Sequence, residues 1–359
     1  MTMQHAEDAR FTAKGHVPFE DAQAVTLEIV EHLKSHNLEA VVQADGRYQF
    51  RFSDNTILIG HNTGTVSYEI SAASENGLLL LRAGAARQVA QVDASAPDRM
   101  VWEDGGVQEG LPENFRELRL VHKDQLSSQL MRLTFEGRDL DIFASTGLHI
   151  RFFMQSDPRR TPVWPIMRSS GAIAMPRGPD ALHTRVYTIR NVRPEKNEVD
   201  IDFVIHATGV ATKWAMSAQP GALAGMTGPG GGFIPPSTDW LLMGGDLTAT
   251  PALCRLLEML PDDARGEAFL TIPGDFSGAV CASAPQGVKV HPVATGLDPS
   301  ALVNAMQSIR YPDSGTVYGW FAGEFDQAQA MRRYFKSDLG LPKTHQLSVA
   351  YWRQGQAGE

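Results

Sequence analysis

The chain has 359 residues, 43% hydrophobic and 20% charged, a globular composition long enough for two or three domains with cores of their own. The net charge of −9 sits almost wholly in residues 1–110, which hold 8 Lys/Arg against 16 Asp/Glu, while 111–359 hold 24 against 25. This excludes a basic nucleic-acid stripe, no apolar run is long enough for a bilayer, and the polar start Met1–Arg10 lacks a signal-peptide core. A cytoplasmic protein is expected, with its two cysteines, Cys254 and Cys281, as reduced thiols in no metal or redox spacing.

In chain order, Glu20–Asn37 reads as a helix, with Ala22, Val25, Ile29 and Leu33 on one stripe. His32 and His36 share a face of it, but without a third ligand they read as rim histidines and not as a metal site. Two hairpins follow, turning at Asp45-Gly46 and at Asn62-Thr63-Gly64, then a helix over Glu75–Val92. Residues 1–105 therefore read as a small acidic α+β domain, and 106–114 as a linker. Over 115–236 the pattern changes to strands: Arg116–Lys123, Ser127–Phe135, Gly147–Met154, Val186–Asn191 and Glu198–His206, as in a small antiparallel barrel. Between the third and fourth lies a Pro/Gly-rich stretch, 155–184, long enough to be functional. Thr227-Gly228-Pro229-Gly230-Gly231-Gly232-Phe233 is followed by no helix and reads as a bend closing the barrel. Over 237–359 strands at Trp240–Met243, Ala268–Ile272, Thr316–Phe321 and Gln346–Arg353 alternate with helices at Pro251–Leu260, Ala301–Ser308 and Asp326–Lys336. That alternation predicts a parallel sheet with ligands at the carboxyl ends of its strands.

The chemistry gathers at Arg185-Val186-Tyr187-Thr188-Ile189-Arg190. A guanidinium suits a phosphate, an aromatic ring suits a flavin face, and a hydroxyl suits the flavin N5 edge. His206-Ala207-Thr208-Gly209-Val210-Ala211-Thr212 runs from a strand through small residues into a helix start, a cradle for an anion. No Ser/His/Asp or Cys/His set competes with this reading.

Six stretches in unbroken order over roughly 115–355 resemble the siderophore-interacting protein family of FAD-dependent ferric-siderophore reductases: Arg185–Arg190, Asp202–His206, Gly209–Ala215, Gly245–Ala252, Ala322–Glu324 and Tyr351–Gly355. Residues 1–105 resemble a small domain of unknown function fused ahead of such reductases, with Leu33-x-x-His36 and Trp102 as the marks. The resemblance implies a ferredoxin-reductase-like fold, an antiparallel β-barrel FAD domain followed by an α/β NAD(P)-binding-like domain. It implies cofactor contacts at Arg185, Tyr187, Thr188, Ile189, Arg190, Asp202, Phe203, His206, Gly209, Ala211, Thr212 and Trp214, and nucleotide docking at Gly245, Asp246, Thr248 and Ala249. Arg151, Arg353 and Lys343 would face a ferric siderophore, with no resident metal. Leu247 stands where relatives commonly carry an acidic residue, and Gly230 where many carry a cation, with Arg177 or Lys343 as substitutes. The implied reaction passes electrons from NADH, NADPH or reduced ferredoxin through FAD to iron. The alternatives are a flavin reductase serving ferredoxin or flavodoxin, and a non-catalytic flavin- or siderophore-binding module.

Overall fold

The computed structural model describes residues 10–35, 38–52, 54–145, 147–206, 209–231, 238–276, 283–294, 296, 298, 300–312 and 314–356. They divide into two compact units: the chain up to Asn114 together with Val163–Gly178, and Phe115–Pro162 together with Pro179 onward.

In the first unit the chain runs β1 (Phe11–Pro18), α1 (Ala22–Ser35), β2 (Val41–Val42), β3 (Tyr48–Phe52), β4 (Asn55–Asn62), β5 (Thr65–Ala72), α2 (Glu75–Val92) and β6 (Val101–Trp102). The strands form one sheet in the order β2-β3-β4-β5-β1-β6. Both hairpins are where the turn residues place them: Gly46 and Gly64 take φ of +83° and +78°, values that cost glycine little. The stripe Val25, Ile29, Val30 and Leu33 of α1 packs with Ala85 and Val89 of α2 onto Phe50, Ile57 and Ile70 of the sheet. β1 had no counterpart among the sequence expectations, because its inward residues Ala13, Gly15 and Val17 are mostly small. His36 lies outside the described residues, and among the described residues no three metal-ligating side chains cluster.

The second unit begins with β7 (Phe115–Ser127), β8 (Leu130–Gly137), a short α3 (Ile142–Ser145) and β9 (His149–Gln155). The chain then contributes a small hairpin, β10 (Ile166–Met167) and β11 (Ile173–Ala174), to the first unit. It returns as β12 (Leu182–Arg193), β13 (Glu198–Val204), α4 (Val210–Ser217) and β14 (Leu223–Gly230). The six strands close a barrel in the order β12-β13-β8-β7-β14-β9, filled by Leu120, Phe135, Phe152, Ile201 and Phe203. β14 extends the bend expected from the Gly-Pro run: Ala224 and Met226 point inward and are fully buried, so the strand starts four residues ahead of Thr227.

After the barrel come β15 (Trp240–Gly245), α5 (Thr250–Met259), β16 (Gly266–Ile272), β17 (Val288–Ala294), α6 (Ala301–Gln307), β18 (Val317–Glu324), α7 (Phe325–Arg333) and β19 (Gln346–Trp352). All neighbours in the sheet, β17-β16-β15-β18-β19, are parallel. β17 is the added strand; its proline and two outward-facing charged or polar residues hid the pattern. One expectation is corrected. Cys254, buried on α5, is disulfide-bonded and not a free thiol, a pairing that sequence spacing does not reveal; Cys281 lies outside the described residues.

The stretch 155–184 is not structureless. Met167 exchanges backbone hydrogen bonds with Gly110, at 2.7 and 3.2 Å, Val107 N–H donates to Ser169 O at 3.1 Å, and the Trp102 indole N–H donates to Ser170 O at 2.7 Å. Met167 and Ser170 are buried there, and residues 106–114, read as a linker, are part of this first unit.

Candidate functional site

β9 and β12 lie side by side in the barrel, with Phe152 opposite Arg185, Arg151 opposite Val186, Ile150 opposite Tyr187 and His149 opposite Thr188. Strand alternation sends Arg185, Tyr187 and Ile189 to one face and Thr188 and Arg190 to the other. The Tyr187 ring rests 4.2 Å from Phe203 and meets Phe152 edge-on at 5.9 Å, centroid to centroid, and burial pushes its hydroxyl pKa up. Ile189 is fully buried. Arg185 is half-buried, and among the described residues its guanidinium donates only to Thr184 O, at 2.7 Å. Most of its five N–H donors are left for an anion. Arg190 is used differently: it grips Glu258 of α5 with two hydrogen bonds of 2.7 and 2.9 Å. The two cations of the motif thus part company, one keeping most of its donors uncommitted among the described residues and one held by the neighbouring helix.

On β13 the side chains of Asp202 and Phe203 serve the barrel. Asp202 takes both hydrogen bonds of Arg132, at 2.7 and 2.8 Å, and Phe203 is fully buried. Beyond β13, Gly209 begins α4 without a side-chain cap, and a Cβ there would stand 2.5 Å from the His206 ring. Only glycine lets the exposed His206 lie across the helix start. Thr212 reaches back: its hydroxyl accepts from His206 N–H and donates to Val204 O, both at 3.3 Å, fixing the turn. Ala211 and Trp214 are buried, with Trp214 stacked 6.3 Å from Phe135. What this leaves for a ligand is the backbone of the α4 start and His206.

At the carboxyl ends of the parallel strands, Asp246 collects three donors: Thr248 N–H at 2.8 Å, Thr248 Oγ1 at 2.5 Å and the Trp352 indole at 2.6 Å. Burial raises its pKa. Gly323, at φ +158°, leaves the space, since a Cβ there would come 2.9 Å from Asp246 Oδ2. Gly245 has the same duty toward Ala322 O, 2.7 Å from its would-be Cβ, while Leu247 and Ala249 are buried. The end of the chain folds back onto this corner. Gln354 N–H donates to Glu324 Oε1 at 3.2 Å, and the Arg353 guanidinium lies 4.4 Å from the centre of the Phe325 ring. Arg151, Arg353 and Lys343 are exposed; Lys343 stands on the short turn Lys343–His345. Arg177 falls in the first unit.

Two contributors were absent from the sequence-derived set, His149 and Tyr351. The His149 Nε2 and the Tyr351 hydroxyl are 3.0 Å apart, joining the barrel to β19. The signal for Tyr351 was its place in Tyr-Trp-Arg-Gln-Gly; His149 had none. Burial, then the positive charge of Arg255, holds the His149 pKa down to about 4 against an ordinary 6.5, with a hydrogen bond to the Tyr187 backbone working the other way. Below pH 6.5 the unfolded chain therefore takes up a proton that the folded chain refuses. This contribution to stability is lost as pH falls through that window, by about 2 kcal/mol between pH 7 and pH 5. Urea unfolding of wild type and His149→Gln at both pH values checks it, since the variant should lose that much less than wild type; equal losses would refute it.

A family model for the siderophore-interacting FAD-binding domain matches residues 119–233, and one for siderophore-interacting protein matches 238–355. The ferric vibriobactin reductase ViuB of Vibrio cholerae is 31% identical over 254 residues, 68% of this chain and 91% of that protein. The crystal structure of the siderophore-interacting protein SipS from Aeromonas hydrophila superposes with a TM-score of 0.57 at 30% identity, covering 68% of this chain and 93% of that one. A siderophore utilization protein from T. fusca gives 0.59 at 26% identity, covering 70% and 98%.

Proposed function

The chain belongs to the siderophore-interacting protein family, and from that premise we propose that it reduces ferric siderophore with electrons from NADH or NADPH, by way of FAD. The observation that carries the reading is that Arg185 and Thr188 stand three residues apart on one barrel strand, on its opposite faces. Arg185 is a half-buried cation with most of its donors uncommitted among the described residues, and Thr188 is a buried hydroxyl in the same motif. That donor set fits a flavin phosphate and the polar edge of its ring. Accepting a hydride and releasing electrons one at a time is the chemistry FAD supplies when bound.

The rest falls to the chain's own groups. Arg185 would bind phosphate, the α4 start with Gly209 and His206 would receive the pyrophosphate, and the Tyr187 hydroxyl keeps its proton. Asp246, held by Thr248 and Trp352, would shape the docking place of the nicotinamide nucleotide, with Gly245 and Ala249 supplying close backbone approach. The exposed cations Arg151, Arg353 and Lys343 would attract the anionic iron chelate. Ferric iron is hard and tightly held by oxygen ligands, and the ferrous ion is held more weakly, so reduction releases it. No helix among the described residues is long and apolar enough to cross a membrane; we place the reaction in the cytoplasm, where the nicotinamide donors are.

Anaerobic titration tests this. NADH or NADPH should bleach the flavin of the FAD-loaded protein, and a ferric catecholate or hydroxamate should restore the colour as ferrous iron appears in a chelating dye. Bleaching that no ferric chelate reverses would sink the substrate assignment, and reduction by ferredoxin but by neither nucleotide would reassign the donor. Arg185→Ala should weaken FAD retention about 10- to 100-fold, the worth of a charge-assisted hydrogen bond.

A further inference from the structure

His149 faces two hydroxyls at once. Its Nδ1 lies 3.4 Å from Thr188 Oγ1, and its Nε2 lies 3.0 Å from the Tyr351 oxygen. The ring meets Tyr351 edge-on, 5.4 Å between centroids at 89°. The backbone fixes it from both sides, opposite Thr188 on β12 and opposite Gly230 on β14. Gly231, at φ +56°, closes the third side so tightly that a Cβ there would stand 3.1 Å from His149 Cδ2. A buried neutral imidazole has one donor and one acceptor nitrogen to satisfy. This one has partners on the barrel strand that bears the flavin motif and on the last strand of the parallel sheet.

The protons can be assigned from the partners. The imidazole is neutral near pH 7, enclosed and beside the positive charge of Arg255, so it has one N–H and one lone pair. A backbone hydrogen bond with Tyr187 favours the protonated ring, which only an accepting carbonyl does. Tyr351 occupies the Nε2 side, so the nitrogen that donates is Nδ1. The Nε2 lone pair then receives the Tyr351 O–H, whose proton is retained through burial and the nearby charge of Asp246. With Nδ1–H facing its oxygen, the Thr188 hydroxyl must turn its own hydrogen away from the imidazole.

We propose that His149, held as the neutral Nδ1–H tautomer between the Tyr187 backbone and the Tyr351 hydroxyl, is a positioning residue that makes Thr188 a hydrogen-bond donor toward the N5 edge of the flavin. The role rests on the flavin reading of Thr188. An oxidised flavin has a lone pair at N5, and a fixed donor there is complementary to it without reorganisation. Through Tyr351, the same lock ties this donor to β19, which also carries Trp352 against Asp246.

The first half of the test needs no flavin. Nitrogen-15 spectra of the FAD-free protein at pH 7 should show the His149 ring with Nδ1 protonated and Nε2 bare. A ring protonated at Nε2 alone, or at both nitrogens, overturns the proposal whatever the flavin does. The second half uses the FAD-loaded protein and stopped-flow bleaching by the nicotinamide donor. His149→Gln and Thr188→Val should each slow bleaching about tenfold, the worth of one net hydrogen bond. Thr188→Ser should recover most of the rate, and the His149→Gln/Thr188→Val double variant should be no slower than Thr188→Val. Losses that multiply to about a hundredfold show independent action and overturn it. Should His149→Gln fail to fold, His149→Asn takes its place in the same cycle. A wild type with the expected tautomer that is never bleached refutes the flavin reading and not the hydrogen-bond assignment.

Discussion

Replacing Arg255 by methionine is expected to lower the unfolding free energy of the second unit by about 3–5 kcal/mol, the range for removing one member of a buried polar set. Arg255 projects from α5 and is only 5% exposed. Its guanidinium donates to three backbone carbonyls of the barrel, Ile189 O at 3.0 Å, Phe143 O at 2.6 Å and Ala144 O at 3.3 Å. Burial and the neighbouring charge of Arg190 disfavour its charged form, so its place is held by those carbonyls. Methionine keeps the stem and packing but offers no donor, leaving acceptors stranded where α5 meets the barrel. Urea unfolding followed by tryptophan fluorescence measures the loss; one below about 1 kcal/mol would mean that water reaches the carbonyls. Arg190→Met makes the contrast. Its pair with Glu258 is more exposed, at 14% and 29%, and should be worth about 1 kcal/mol or less.

Asp202→Ala is expected to cost about 3 kcal/mol of stability and to leave FAD affinity within about twofold of wild type. The Asp202 side chain is 3% exposed and fully engaged by Arg132, itself 28% exposed. Its loss leaves a guanidinium without its carboxylate on β8, partly relieved by solvent. Thermal unfolding and flavin-quenching titration separate the two effects. A variant of wild-type stability that has lost FAD affinity tenfold would restore Asp202 to the cofactor set that the motif implies.

These two residues show where sequence reading ends. Period-two alternation exposed five barrel strands, and the strand–helix rhythm exposed most of the parallel sheet, because both are local patterns. The partners of the motif residues are not local. Arg190 meets Glu258 across 68 positions and Asp202 meets Arg132 across 70, so nothing near either residue says that its charge is already committed. Thr212 was legible as part of the helix-start cradle, but its direction was not: it bonds Val204 and His206 behind it. His149 was missed for the same reason, since Tyr351 lies 202 residues away. Arg185 and Thr188 stand out in the sequence because the motif that carries the proposed ligand is contiguous.

The excursion Val163–Gly178 bears on what sort of fusion this chain is. Two modules joined end to end share one peptide connection, and a single cut frees them. Here the backbone passes between units three times, at residues 114–115, 162–163 and 178–179. Val163–Gly178 belongs to the first unit, where Gly110, Val107 and Trp102 hold it. Gly106 makes the fit close: at φ +80°, a Cβ on it would stand 2.1 Å from Ser169 O. A protease that nicked the chain after Asn114 would leave two fragments still bound through that piece. A shortened gene starting at Phe115 would make a protein with Met167 and Ser170 stripped of their cover. The two units are therefore interleaved along the chain, the first unit taking Val163–Gly178 from between two stretches of the second.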